Sequence, residues 1–239
     1  MTAGLPRRDV PVSGSAFRPS DWQRLFLRPR PASFISRQFA RLYYARVEST
    51  VFDTRFLGVQ TLKYPTDLWV YQEIVSETRP ELIVETGTWH GGSALFLATV
   101  CEGLGHGRVV TIDPDPGDPL PEHPRLTYVR GSSVAPSVLA AIRAQASDAD
   151  GVMVILDADH SRAHVLEELD AYAGVVTIGN YLIVEDTNVN GHPVLPRHGP
   201  GPAEAVDEFL RRDGRYEADR SRERLLITAN PGGFLRRVA

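Results

Sequence analysis

From about residue 82 onward the sequence alternates. Short β-branched or aliphatic runs near residues 82–85, 109–112, 126–129, 152–156 and 181–184 are separated by stretches near 92–102, 134–145, 161–173 and 203–212 whose apolar residues recur at helical spacing. Strand and helix taking turns at this interval predict a parallel sheet covered on both faces. The ending departs from that rhythm. Tyr216–Asp219 and Leu225–Ala229 are close enough to pair as an antiparallel hairpin. The predicted fold is therefore α/β, a mostly parallel seven-stranded sheet that ends in an antiparallel hairpin.

Ahead of this region the pattern is helical. Residues 1–20 are rich in Pro, Gly, Ser and Arg and read as loose. Apolar spacing predicts helix from Asp21 to about Val47, split in two by Pro29 and Pro31, and a third helix over Thr66–Val75 capped by Thr66 or Asp67. The division predicted is an Arg-rich helical extension over residues 1–60 and one domain over 61–239. Ten arginines against Asp9, Asp21, Glu48 and Asp53 give the first 60 residues a charge of +6, although the whole chain carries −4. Such an arm suits an anionic partner, docking on a second subunit, or plain solvation. It lacks the interleaved basic and aromatic pattern of a nucleic-acid module. Trp22, Phe26, Phe34 and Phe39 point instead to a homo-oligomer.

A hydrophobic fraction of 42% can fill one large core, and no apolar run approaches a membrane span. The single cysteine, Cys101, sits in an apolar helical stretch and reads as a buried structural thiol. These features, with no apolar stretch after Arg7 and Arg8 to make a signal, predict a cytoplasmic protein.

Glu85-x-Gly87-x-x-x-Gly91-Gly92-Ser93 follows the first strand of the alternating region and opens a helix. The glycines allow a sharp turn and close approach of a ligand to the helix start. The next strand ends in Asp113, placed to accept hydrogen bonds from ribose hydroxyls. That feature fits both NAD and S-adenosylmethionine. Glu85 favours the latter, because a carboxylate there repels a pyrophosphate and suits a sulfonium and an amino group. Ser132 reads equally as an adenine contact or as part of a helix cap. Glu85, Gly87, Thr88, Gly91, Ser93, Asp113 and Ser132, with Lys63 upstream, are the candidate cofactor residues.

Two acidic clusters, Asp157-Ala-Asp159-His160 and Glu185-Asp186, follow the runs at 152–156 and 181–184. On neighbouring parallel strands they share one cleft. Asp157, Glu185 and Asp186 are then three hard oxygen ligands suited to Mg²⁺, with His160 beside them as a base. Asp159 fits a helix cap better than a ligand. The Gly/Pro-rich segment 188–202 that follows predicts a substrate lid, in which His192, Arg197 and His198 are candidate substrate contacts.

At these residues the chain resembles the cephalosporin hydroxylase-like and bacterial rhamnosyl O-methyltransferase family. The resemblance is carried by Lys63-Tyr-Pro-Thr-Asp-Leu-Trp-Val-Tyr-Gln-Glu73, Val84-Glu-Thr-Gly-Thr-Trp-His-Gly-Gly-Ser-Ala94 and Leu156-Asp-Ala-Asp-His-Ser-Arg-Ala-His-Val-Leu166. It continues through Tyr181–Pro196, Gly199-Pro-Gly-Pro202 and Asn230-Pro-Gly-Gly-Phe-Leu235, and spans about residue 40 to the C-terminus. It implies a Rossmann-like class I methyltransferase fold with S-adenosylmethionine as methyl donor and Mg²⁺ on Asp157, Glu185 and Asp186. In related macrolide-sugar enzymes an aspartate and a histidine three residues later serve as ligand and general base, the spacing of Asp157 and His160. The expected activity is methylation of a hydroxyl of a rhamnose-like deoxysugar on a glycosylated natural product or glycolipid. Two other classes are weighed against it: a non-catalytic cofactor-binding subunit of a tailoring complex, and an NAD-dependent oxidoreductase.

Overall fold

The computed structural model describes residues 32–239. The expected loose segment 1–20, the first expected helix, and Trp22 and Phe26 lie outside the described residues. Helix α1 (Ala32–Ala45) begins just past Pro31 and leaves Ile35, Phe39 and Leu42 exposed along one side. A short hairpin of β1 (Arg55–Phe56) and β2 (Val59–Gln60) follows, and Phe56 meets Phe96 edge-on with ring centroids 5.1 Å apart.

Helix α2 (Pro65–Thr78) starts with Pro65 in its first turn, where a missing N–H costs nothing. Tyr64, and neither Thr66 nor Asp67, occupies the N-cap position. Asp67 is instead buried in the first turn, and its Oδ2 accepts the Ala229 N–H at 2.8 Å. The expected cap thus serves a tertiary contact 162 residues away.

The alternation then runs as predicted: β3 (Leu82–Thr86), α3 (Gly92–Gly103), β4 (Arg108–Asp113), β5 (Leu126–Arg130), α4 (Pro136–Ser147), β6 (Val152–Leu156), α5 (Arg162–Tyr172), β7 (Tyr181–Val184), α6 (Pro202–Arg212), β8 (Tyr216–Ala218) and β9 (Phe234–Arg237). The seven-stranded sheet has the order β5-β4-β3-β6-β7-β9-β8, with β9 antiparallel to both neighbours and the β5-to-β7 block parallel. Side chains alternate across each strand. Leu82, Val84, Val152, Val154 and Leu156 pack under α4, α5 and α6, while Ile83, Met153, Ile155 and Phe234 pack under α2 and α3. Both faces are covered, so β3 and β6 are buried at every position. Cys101 is part of this core.

The closing hairpin differs from expectation. Leu225–Ala229 forms no strand, and β8 pairs instead with Phe234–Arg237. Leu226 adopts φ +69° and is exposed, and the Ala229 N–H is taken by Asp67, so the run cannot extend along an edge. Its β-branched and aliphatic character is spent on a loop that crosses the strand ends. The Tyr216 hydroxyl, at the start of β8, donates to the Ala173 carbonyl at 2.6 Å in a buried setting. Tyr216→Phe removes that donor and is expected to cost about 1–2 kcal/mol in a urea titration. An unchanged midpoint would show that the bond contributes nothing.

Among the described residues no helix is long and apolar enough to cross a membrane.

Candidate active site

The strand order reverses direction between β3 and β6, and at such a switch point the loops leaving the strands part to form a crevice. A cavity of about 450 Å³ opens there. Its walls come from the β3–α3 loop (Gly87, Thr88, Trp89, His90), from Asp113 and Ser132 beyond β4 and β5, and from Asp157, His160 and Asp186 beyond β6 and β7. Gly87 is what lets the walls meet. It has φ +85°, and a Cβ there would lie 1.9 Å from the Asp157 carbonyl oxygen.

The expected cofactor residues divide into two groups. Lys63, Gly87, Thr88, Ser93, Asp113 and Ser132 line the cavity. Glu85 and Gly91 do not. Glu85 is fully buried and accepts from Thr111 Oγ1 at 2.8 Å, and burial pushes its carboxyl up to about 7. Gly91 lies behind the wall as the left-handed N-cap of α3. The Asp113 oxygens are already engaged: Oδ2 accepts the Thr88 and Trp89 N–H groups at 2.9 and 3.1 Å, and Oδ1 that of Asp115 at 2.8 Å. Asp113 therefore shapes the glycine loop as well as facing the cavity.

On the acidic side the structure brings Asp157, His160 and Asp186 together, each offering a donor atom within 4.8 Å of the others. His160 Nε2 is 3.3 Å from Asp157 Oδ1 and its Nδ1 is 3.3 Å from Asp186 Oδ2. Burial would lower the His160 pKa, but the hydrogen bond to Asp157 and the charges of Asp186 and Asp157 outweigh it and raise it to about 9. Glu185 is turned inward to Lys63, whose Nζ lies 2.6 Å from Glu185 Oε1 and also bonds Asp157. Lys63 is only 3% exposed, yet these carboxylates and Glu85 keep its ammonium charged against the cost of burial. Burial first, then the Asp157 charge, raises Glu185 well above the usual carboxylate range, and burial raises Asp186 too. Asp157 moves the other way, because Lys63 and His160 overcome its burial. Four carboxylates share one lysine and one histidine, so burial pushes Glu85, Glu185 and Asp186 toward the neutral form, and hard oxygen donors of this kind suit Mg²⁺. Asp159 accepts the Ser161 N–H at 2.7 Å, and Ser161 caps α5.

The segment beyond β7 is tied down rather than extended. Glu204 of α6 accepts from Asn190 and His192 at 3.0 Å and from the Gly201 N–H at 2.7 Å. Arg41 of α1 reaches the Pro193 carbonyl at 3.2 Å. His192 lines a separate groove of about 830 Å³ bounded by α1, α6 and residues 226–232. Arg197 and His198 are exposed, and of the two His198 lies close enough for its charge to favour ionised Asp186. None of the three lines the cavity. Burial would raise the Glu204 carboxyl, but these three donors bring it down to about 2, from 4.5. A carboxyl held below its unfolded value stabilises the fold above about pH 4.5 and loses that contribution as pH falls to about 2. Glu204→Gln is expected to be less stable at pH 7 by about 1–2 kcal/mol. The difference should close between pH 4.5 and 2 in paired thermal scans. A gap independent of pH would remove the charge from this explanation.

Several site residues carry no local signal. Asp67 and Tyr71, one turn apart on α2, meet the distant residues Ala229 and Asn230 only in the folded chain. His164 and Ser133 also line the cavity, with Ser133 Oγ 3.4 Å from His164 Nε2. The i, i+4 pair His164–Glu168 could have been picked out, but nothing in the sequence says that Glu168 is fully buried.

Sequence and fold are both shared with named proteins. The family described as Rhamnosyl O-methyltransferase/CmcI matches residues 48–238. Rhamnosyl O-methyltransferase of Mycobacterium leprae is 38% identical over 212 residues, covering 86% of this chain and 92% of that protein. The protein of the same name from Mycobacterium tuberculosis is 38% identical over 221 residues, covering 89% and 88%. A solved CmcI structure with Mg and SAM superposes with a TM-score of 0.62 at 23% identity over 79% of this chain and 78% of that one, a likeness of fold. With most of both chains aligned at this identity, the protein belongs to the rhamnosyl O-methyltransferase/CmcI family.

Proposed function

We propose that this chain is a Mg²⁺-dependent O-methyltransferase that moves a methyl group from S-adenosylmethionine to a hydroxyl of a rhamnose-like deoxysugar on a glycosylated natural product or glycolipid. The observation that carries the reading is that one cavity joins the glycine loop to the acidic cluster. The names of the mycobacterial relatives support a rhamnosyl acceptor, and the CmcI structure with Mg and SAM supports the cofactor pair.

In this reading Gly87, Thr88, Ser93, Asp113 and Ser132 hold the methyl donor along the cavity, and Glu85 sits beneath it as a buried acid. Asp157 and Asp186 would hold Mg²⁺, with Glu185 as a third ligand on release from Lys63. When bound, the ion supplies positive charge that lowers the pKa of an acceptor hydroxyl, and the donor supplies an electrophilic methyl group. In the cluster alone Asp157 and Asp186 hold His160 protonated, with a pKa of about 9; the charge of a bound cation would offset those carboxylates and leave a neutral imidazole to take the acceptor's proton at a ring nitrogen. Lys63 neutralises part of the buried acid charge and holds Asp157 and Glu185 in place. Much of the acceleration is then positioning. His192, Arg197 and His198 contact the substrate from the loop beyond β7. Residues 1–60 form an extension to the catalytic domain, and the exposed side of α1 joins copies of the chain in a homo-oligomer.

Purified protein should methylate an aryl rhamnoside in the presence of S-adenosylmethionine and Mg²⁺, with mass-shifted product and equimolar S-adenosylhomocysteine, and stop on adding a chelator. Turnover by the purified chain alone excludes a purely accessory role. Failure to bind S-adenosylhomocysteine, or binding of NAD in its place, would overturn the proposal.

A further inference from the structure

Glu185 and Asp186 are consecutive, and consecutive side chains of an extended chain point to opposite sides. Glu185 faces inward to Lys63, and a turn in the backbone sets where the next side chain goes. Asp186 makes that turn: it has φ +53°, in the left-handed region that side chains other than glycine rarely adopt. A backbone outlier of this kind persists only where its surroundings hold it.

The holding groups lie outside the cavity. The Asp186 N–H donates to Asn230 Oδ1 at 3.0 Å, and Asn230 Nδ2 donates to the Tyr71 hydroxyl at 2.7 Å. Burial and then the nearby Glu185 charge hold that phenol protonated. Asn230 and Tyr71 are both fully buried, and neither lines the cavity. The segment carrying Asn230 is itself strapped to the end of β7. Gly233 N–H donates to the Asn230 carbonyl at 2.9 Å, Val184 N–H to the Gly233 carbonyl at 2.8 Å, and Asn188 N–H to the Ala229 carbonyl at 3.0 Å. The approach is close enough that a Cβ on Gly233 would lie 2.1 Å from the Val184 carbonyl oxygen.

We propose that Asn230, backed by Tyr71, is a positioning residue that turns Asp186 toward a divalent cation shared with Asp157. The amide fixes the left-handed turn through the backbone of Asp186, and the phenol, accepting from Asn230 Nδ2, fixes the amide. This rests on the reading that Asp186 carries the metal.

The test is calorimetric titration of the full chain with Mn²⁺ and Mg²⁺, and separately with S-adenosylhomocysteine, alongside a melting curve. Asn230→Ala and Tyr71→Phe are compared with Asp186→Ala. Partners that orient metal ligands are commonly worth roughly 10–100-fold in metal affinity. Asn230→Ala should lose that much and Tyr71→Phe somewhat less, with S-adenosylhomocysteine affinity changed less than about threefold. The double variant should lose less than the product of the two, since the pair acts as one unit. Tyr71→Phe preserves shape, and it decides the matter if Asn230→Ala does not fold. Unchanged metal affinity in folded variants, with Asp186→Ala abolishing binding, would refute the positioning role alone. Equal losses of metal and S-adenosylhomocysteine would refute it as well, since they indicate a general loosening. Wild-type metal affinity in Asp186→Ala would instead remove the metal reading, and the proposal with it.

Discussion

His160→Ala is expected to lower kcat by roughly 10²–10⁴-fold while leaving S-adenosylhomocysteine affinity within about threefold. The imidazole stands at the acidic end of the cavity, 3.3 Å from both Asp157 and Asp186, whereas the glycine loop forms the other wall. The two functions are thus separable by mutation. His160→Gln sharpens the test, because an amide can still hydrogen-bond Asp157 but cannot take a proton at pH 7. Both variants should be comparably slow in a steady-state assay with saturating donor. A glutamine variant with near wild-type turnover would reduce His160 to a spacer, and an active alanine variant would move the base elsewhere.

Gly87→Ala should be as damaging for a different reason. The residue has φ +85°, and the added methyl would meet the Asp157 carbonyl oxygen at 1.9 Å, a contact with backbone rather than a flexible side chain. The ends of β3 and β6 must separate to admit it. The Gly87 N–H bond to the Ile112 carbonyl at 2.8 Å, the glycine loop and Asp157 would shift together. Displacement of catalytic groups by about 1 Å can cost on the order of 10²-fold in rate. The left-handed backbone adds a penalty of roughly 1–2 kcal/mol to folding. We therefore expect at least a hundredfold loss in kcat/KM, weaker S-adenosylhomocysteine binding and a lower Tm. Normal affinity for S-adenosylhomocysteine in the folded variant would show that the β3 and β6 loops do not need this contact.

These two residues also show how far local pattern reaches. Gly87 and His160 could both be singled out in the sequence: one follows a strand as a turn glycine, the other follows an acidic strand end. Each is set by a strand terminus, and strand termini were visible because the parallel strands are buried on both faces. The Lys63 contacts were not visible in this way. Lys63 stood among the candidate cofactor residues, but it precedes α2 and crosses to Asp157 and Glu185, at separations that no periodicity encodes. Glu85 taught the complementary lesson. Its place near the end of β3 was legible, yet it lies fully buried outside the cavity wall, bonded to Thr111 of β4.

The closing segment marks the boundary most clearly. Leu225–Ala229 has the composition of a strand, and Phe234–Arg237 is the strand. Strand propensity measures fit to a half-buried pleated surface, and here that surface is supplied by β7 and β8, not by the segment itself. The Asp67 carboxylate and the Asn230 amide then decide the loop's path, each through one hydrogen bond to a distant backbone N–H. By itself the sequence determined the βα alternation, the parallel sheet and the strand ends that bear the acids, since these follow from the periodicity of apolar burial within short windows. The tertiary structure alone decided which carboxylates face the cavity, which are paired with Lys63 and how Asp186 is turned. Those outcomes depend on single polar contacts between distant segments, and a hydrogen bond leaves no repeat in the chain.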